Sequence, residues 1–423
     1  MASAVITRSW NVPHRRPRSS TKLRSEFVPG SSALLGIAAF STLHAAGVDN
    51  PGSWQAIVAG QSGLKSNALP WCDLTCWLGE VAGVDDSPLP AELAAWDCRT
   101  HRLAWMALQR NRFQEAVAAS AARYGAKRIG IILGSSTAGI RSTELAYTRQ
   151  RSDGHWPDDF DYRRTHSLDA LCRFSAAALG LQGPMVTIST ACSSSSKVFV
   201  MAQRWIDCGL IDAAVVGGVD SLCMSTLYGF NSLQLLSGDI CRPFDAARSG
   251  ISIGEAAGFV LLDKQSAAIN FIGGGESSDA WHMSTPHPEG IGAQGAMRAA
   301  LQAAQLAASE IGYVNAHGTA TLANDRAEAA ATAAVFGAGQ VPVSSTKGVT
   351  GHTLGAAGIT EAIAVIQTLE HQTLPPSANL RSAEADLQID VVTSPRHATL
   401  HHAMSNSFGF GGSNCSLIFG RAS

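Results

Sequence analysis

Short apolar runs, each closed by a turn of small residues, recur along the chain from residue 32 onward. ALLGIAAFS begins at Ala33, RIGIILGSSTAG at Arg128, MVTISTACSSSS at Met185, DAAVVGGVDS at Asp212 and AAGFVLLDK at Ala256. The second half repeats the rhythm with INFIGGG from Ile269, IGYVNAHGT from Ile311, VPVSSTKG from Val341 and CSLIFG from Cys415. Runs of this length bounded by Gly and Ser predict buried strands. Ala-rich stretches between them, such as 291–309, 325–336 and 356–370, predict helices. Alternating strand and helix predicts an α/β protein with mixed sheets covered on both faces. The likeness of the two halves points to an internal duplication with its seam near Lys264. No linker marks the seam, so halves of 32–264 and 265–423 are expected to share one body.

Composition sharpens this picture. Hydrophobic residues make up 46% and charged residues 15%, against about one quarter charged in a typical soluble chain. That fits a deep core plus a buried oligomer interface. A net charge of −2 points to neither nucleic acid nor a membrane surface as partner. No apolar stretch reaches the ~18 residues of a membrane helix, so no membrane insertion is expected. The nine cysteines show no disulfide framework, which suggests a reducing cytoplasm. Cys72 and Cys76, with Cys98, form a weak metal pattern better explained by ordinary buried thiols. Residues 1–31 differ in kind: Arg8, Arg15, Arg16, Arg18, Lys22 and Arg24 face one acid, Glu26. Such a basic, Ser- and Pro-rich extension is expected to be disordered on its own. A transit peptide has this composition; an extension without function is preferred, because the periodic pattern starts at Ser32.

In open α/β sheets, ligands bind beyond the carboxyl ends of strands, so the turns after the apolar runs are where chemistry is sought. Cys192 stands where one run stops, and the serines after it open an apolar helix. A strand-to-helix turn exposes the side chain, and a helix N-terminus favours thiolate. A structural cysteine in a buried turn explains this motif alone equally well. Asn315 and His317 follow a second strand, with Thr319 and Thr321 beside them and Asp325 and Glu328 three apart on the next helix. Lys347 and His352 follow a third strand among glycines that permit close packing. A lysine buried there needs a partner charge, for which Asp325 and Glu328 are candidates. Phe410 lies in the glycine-rich loop after Ser405, Asn406 and Phe408, where free amides would bind an oxyanion or the glycines would let Phe410 swing. A glycine-stabilised bulge is the plain alternative for that loop. A Cys/His/His set would also suit zinc, but close spacings and a fourth ligand are missing.

TACSSSS, YVNAHGTAT, STKGVTGHTLGAAG and NSFGFGGSN, in that order, resemble the β-ketoacyl-ACP synthases, the condensing enzymes of fatty acid and polyketide synthesis. CRPFDAARSGISIGEAAG (241–258) and SSDAWHMSTP (277–286) add to a resemblance that covers about residues 32–420, and the latter points to the elongating bacterial type. The resemblance implies a thiolase-like fold, with two similar halves in a five-layered αβαβα structure. It implies that Cys192 accepts an acyl chain as a thioester, and that neutral His317 and His352 hold the malonyl thioester carbonyl while CO2 leaves. Lys347 would fix His352 and the local charge, with Asp325 and Glu328 in the supporting network. The amides of Cys192 and Phe410 would form the oxyanion hole, and Phe410 would gate the acyl pocket. Thr319 and Thr321 would meet the pantetheine arm of an acyl carrier protein. Asn315, Glu361, Ser405 and Asn406 match positions that bind a structural cation in some members. No redox cofactor or catalytic metal is implied. The expected partners are acyl carrier protein and a second subunit, in a homodimer or in a heterodimer with a related chain.

The pattern is not followed everywhere. Leu322 and Asn324 replace the family's usual Pro and Gly, GEAAG carries Ala256, and RSGI carries Ser249 and Ile251. None removes a catalytic group, but they open the alternative of a specialised polyketide, polyene or lipid synthase over housekeeping elongation. A thiolase would need a second cysteine in a Cys-x-Gly loop, where this chain has NSFGFGG and places Cys415 in the following strand. A non-catalytic chain-length subunit would lack the nucleophile.

Overall fold

The computed structural model describes residues 34–422; the basic N-terminal segment lies outside them. The apolar runs form the strands β1 (Leu35–His44), β2 (Ile129–Gly134), β3 (Met185–Ile188), β4 (Ala213–Asp220) and β5 (Ala256–Asp263). The second set is β6 (Ile269–Ser278), β7 (Ile311–Asn315), β8 (Pro342–Ser344), β9 (Asp390–Val391), β10 (His402–Gly409) and β11 (Ser413–Arg421). The main helices are α1 (Arg99–Leu108), α2 (Phe113–Tyr124), α3 (Ala170–Leu179), α4 (Ser194–Asp207), α5 (Ile291–Ala304), α6 (Leu322–Phe336) and α7 (Ala357–His371).

One connectivity is used twice. The first half runs β1-β5-β4-β2-β3 across the sheet and the second runs β6-β11-β10-β7-β8, with β9 on its edge. In each set the inner strand (β2 or β7) is parallel to both neighbours, and the two remaining pairings are antiparallel. The sets meet on either side of Lys264, where β1 pairs β6 at Leu35–Phe271 and Gly36–Asn270. Helices α4 and α7 pack against each other and against strands of both sets; α1, α2 and α3 cover the outer face of the first, and α5 covers the second with α6 against it. The result is the five-layered αβαβα arrangement of the thiolase-like fold. The middle layer buries Val198, Phe199, Ile359, Ile363 and Ile366 against Val216, Val260 and Leu417. Because β4 and β5 are covered on both faces, their runs read as continuous rather than alternating.

Two elements depart from the expectation. The predicted helix over 291–309 stops at Ala304, because Gln305 turns left-handed (φ 57°) and Ala308–Glu310 forms a separate 3-10 turn. The segment around Ser405 and Asn406, where no strand is predicted, is the strand β10. Ser405, Asn406 and Ser407 are fully buried, and two of them are paired sideways: Ser416 Oγ donates to Asn406 Oδ1 (2.7 Å), and Ser407 Oγ meets Ser196 Oγ (2.7 Å). A strand whose buried positions hold Ser and Asn hides from a hydrophobic pattern. Among the described residues no helix is long and apolar enough to cross a membrane. All nine cysteines are free thiols. Cys72 and Cys76 sit in an apolar cluster with Leu78, Leu222 and Ile253.

Candidate active site

Cys192 occupies the turn between β3 and α4, where Ala191 takes a left-handed backbone (φ 52°). The serines that follow are there because this helix start is buried. Ser194 Oγ accepts from Thr190 N (2.9 Å) and donates to Ala191 O (2.6 Å), while Ser195 Oγ accepts from the Ile359 amide of α7 (2.9 Å). A Cβ on Gly358 would lie 2.1 Å from Ser196 Oγ, so the two middle helices touch backbone to backbone.

His317 follows β7, and His352 stands at the turn before α7. His352 Nε2 lies 3.0 Å from Cys192 Sγ, and the two imidazoles meet edge to face with centroids 5.4 Å apart. Their protonation follows from the far side of each ring. His352 Nδ1 accepts from the Leu354 amide (3.3 Å), and His317 Nδ1 lies 3.3 Å from the Lys347 ammonium, which can only donate. Each ring therefore carries its proton on Nε2, on the side that faces the sulfur or a substrate. Burial holds both histidines well below their ordinary pKa, aided by the Lys347 charge and, for His317, by His352. The ring nitrogens and the Cys192 sulfur lie within 4.8 Å of one another, close enough to suggest a metal site. In these tautomers Nε2 has no lone pair to give a metal ion, so the trio reads as one acceptor and two neutral donors.

Three expectations are corrected here. Cys192 is not thiolate-prone at rest: burial pushes its thiol up to about 11, against the opposing pull of the Lys347 charge and the Phe410 and Cys192 amides. Lys347 does not fix His352; its ammonium binds the backbone oxygen and Nδ1 of His317 and forms a buried ion pair with Glu361. Nor are Asp325 and Glu328 its partners. Glu328 takes the amides of His317 and Gly318 (both 2.8 Å), and burial pushes its carboxyl up to about 7. Asp325 takes the amides of Phe244 (2.9 Å) and Ala320 (3.1 Å) and faces the buried Arg248 at 3.2 Å. Both acids thus shape the turn that carries His317. The Lys347 ammonium pairs instead with Glu361.

A cavity of about 390 Å3 opens over the cysteine and both histidines. Thr319 and Thr321 line it with their hydroxyls 3.1 Å apart, and Phe410 lines it with its ring tilted on Phe230 at 5.5 Å. A Cβ on Gly409 would stand 3.3 Å from the Cys192 nitrogen, which shows how closely the Phe408–Gly412 segment approaches Cys192. Of the five positions that break the family pattern, Ser249, Ile251, Leu322 and Asn324 line this cavity, and Ala256 lies in β5. Sequence reasoning gave no role to Phe230 or to Asp279, which ties down the Phe410 loop. Asp279 N donates to Gly412 O (2.9 Å), and Asn414 Nδ2 donates to Asp279 Oδ1 (2.6 Å). The SSDAWHMSTP motif was the signal for Asp279; Phe230 had none.

The candidate cation set is only partly suited to an ion. Asn315 Oδ1 and Ser405 Oγ, on paired residues of β7 and β10, are buried without protein partners and fit a cation. Glu361 is engaged by Lys347 and Ser407, and Asn406 Oδ1 by Ser416.

Comparison with known proteins agrees with this geometry. The β-ketoacyl synthase N-terminal domain profile matches residues 99–268 and the C-terminal domain profile matches 270–381. The chain is 34% identical over 400 residues to 3-oxoacyl-[acyl-carrier-protein] synthase 2 of Vibrio cholerae, covering 87% of this chain and 94% of that protein. The chain belongs to the β-ketoacyl synthase family. It is 37% identical over 306 residues to nodulation protein E of Rhizobium meliloti, covering 70% of this chain and 76% of the other. Among solved structures, the ketosynthase ApeO in complex with its chain length factor ApeC from Xenorhabdus doucetiae superposes with a TM-score of 0.85 at 40% identity, over 92% of this chain and 98% of that one. This β-ketoacyl synthase is a condensing acyltransferase, and Cys192 with its two histidines distinguishes it from a non-catalytic chain-length subunit.

Proposed function

We propose that Cys192 carries the acyl group while His317 and His352 act together on the malonyl thioester. The observation that supports this most directly is the approach of His352 Nε2 to Cys192 Sγ, with both histidines made Nε2–H donors by acceptor roles at Nδ1. In the first half-reaction the acyl carbonyl sits against the amides of Cys192 and Phe410, which stabilise the oxyanion. The sulfur forms the new thioester bond, the old C–S bond breaks, and the thiol proton leaves with the carrier thiol. The neutral resting thiol limits side reactions before substrate arrives.

In the second half-reaction the malonyl carbonyl accepts from both Nε2–H groups. As the bond to CO2 breaks, its electron pair moves toward that oxygen, and two neutral donors in a dry cavity stabilise the enolate. The carbanion then attacks the acyl-Cys192 carbonyl, releasing a β-ketoacyl thioester and, after proton uptake, the Cys192 thiol. Thr319 and Thr321 hold the pantetheine arm at the cavity mouth, and Phe410 gates it. Lys347 acts through His317, and Asp325 and Glu328 act through the backbone of its turn. Substrates arrive on acyl carrier protein, and no separate cofactor is needed.

We further infer a specialised pathway, polyketide, polyene or unusual lipid, rather than housekeeping elongation. Two facts support this reading: four of the five departures from the family pattern lie on the cavity wall, and the identity to ApeO is 40% against 34% to the Vibrio synthase. We also infer a dimer, of two copies or with a related subunit, working in the cytoplasm. Purified protein given acyl-ACP and malonyl-ACP is expected to release CO2 and β-ketoacyl-ACP. Cys192→Ala should abolish condensation and the acyl adduct detected by mass spectrometry; normal product from that variant would sink the assignment. A panel of acyl-ACPs would read the chain preference.

A further inference from the structure

Away from the cavity, one buried carboxylate is tied to the catalytic turn by a continuous set of hydrogen bonds. Asp220 ends β4 and is fully buried. Its Oδ1 accepts from Ser135 Oγ (2.6 Å), Thr137 N (2.9 Å) and Thr137 Oγ1 (2.6 Å), and its Oδ2 accepts from Ser136 Oγ (3.0 Å). The Ser136 amide lies 3.1 Å from both oxygens. Hydroxyls and amides of the loop after β2 thus satisfy the carboxylate, and that loop is held rigidly.

Ser136 spends its proton on Asp220, so its oxygen is oriented to accept. It accepts from the amide of Gly355 at 2.9 Å, on the opposite half of the molecule. Gly355 is wedged there: a Cβ would fall 2.6 Å from Ser136 N and 2.7 Å from Asp220 Oδ2. The residue before it, Leu354, is held in the left-handed region at φ 56°, an unfavourable conformation for leucine that the surroundings must impose. In that conformation the Leu354 amide turns back onto His352 Nδ1. The upstream side of the turn is fixed separately, by His352 N to Ser252 O (2.7 Å) and Gly254 N to His352 O (3.0 Å). Only the downstream side decides where the Leu354 N–H points.

We propose that Asp220 and Ser136 are positioning residues for the condensation step, which by anchoring Gly355 hold Leu354 left-handed and thereby keep the His352 proton on Nε2. The inference rests on the reading that His352 donates from Nε2 to the malonyl thioester. Without the anchor, Leu354 relaxes toward the ordinary helical region and its N–H leaves Nδ1. The imidazole is then free to exchange tautomers, and the Nδ1–H form offers a lone pair where the enolate needs a donor.

The test compares Ser136→Ala with Ser135→Ala in the full chain. Each removes one hydroxyl from Asp220, but only the Ser136 hydroxyl bonds the Gly355 amide. Imidazole 15N spectra of His-labelled protein report the tautomer without requiring turnover. In wild type and Ser135→Ala, His352 is expected as a single Nε2–H form; in Ser136→Ala it is expected as a mixture. Malonyl-ACP decarboxylation should fall roughly tenfold or more in Ser136→Ala, while acylation of Cys192 by acyl-ACP holds near the wild-type rate. Ser136→Ala retaining both tautomer and rate would overturn the proposal, as would Ser135→Ala matching its losses. A wild-type protein that fails to decarboxylate malonyl-ACP would instead overturn the proposed function, and the spectra would still decide the positioning question.

Discussion

Lys347 and Glu361 form an ion pair with side chains only 1% and 2% exposed. Such a pair adds little net stability, but removing one partner strands the other charge. Lys347→Met should therefore destabilise the fold by about 3–5 kcal/mol in urea unfolding, and adding Glu361→Gln should recover much of it. The double variant should still condense poorly, since His317 Nδ1 has lost its donor. The histidines give a pH prediction. Burial lowers both folded pKa values well below 6.5. The folded rings thus stay neutral at pH values where the unfolded chain is already charged. Their contribution to stability is present above 6.5 and is lost as pH falls through the depressed folded values. For activity, malonyl-ACP decarboxylation should stay level as pH falls through 6.5. A rate profile with a limb at an ordinary histidine pKa would contradict neutral paired donors.

At the scale of elements, the contact of α4 with α7 is a tight constraint. Gly358→Ala would place a methyl on Ser196, whose backbone nitrogen lies 2.6 Å from the new carbon. Separating the helices costs about 1–3 kcal/mol or more in overpacking. It also shifts Cys192 relative to His352, so both melting temperature and condensation rate should drop. The elements themselves were largely legible in the sequence. The ends of β2, β3, β7 and β8 were marked by small residues, and those ends carry or flank the chemistry. The strand β10 was not legible, because its buried positions include Ser405, Asn406 and Ser407, and the last two find partners on β11 and α4.

Across the whole molecule, β3 pairs with β2 on one side and, among the described residues, forms an edge of the sheet. Nearby sequence exposes Leu145, Tyr147, Tyr162 and Leu168, and Met185 opens β3 at 39% exposure. An unpaired edge favours pairing with another chain, and exposed apolar side chains favour burial in a contact. Met185→Lys should weaken self-association, or association with a related subunit, in sedimentation velocity runs. Unchanged association would place the interface elsewhere.

The sequence by itself determined the kinds of element, their alternation, the residues at the strand ends and the family they resemble. These are short-range properties, set by runs of a few residues and by the small side chains that end them. Only the tertiary structure decided which groups meet. His352 reaches a cysteine 160 positions away, and Lys347 chooses His317 and Glu361 over the acids that the motifs place closer to His317. Tautomers and the neutral state of the thiol were likewise out of reach. They depend on hydrogen-bond partners at the far side of each ring and on exclusion of water, and both arise when the two halves of the molecule close on a shared middle layer.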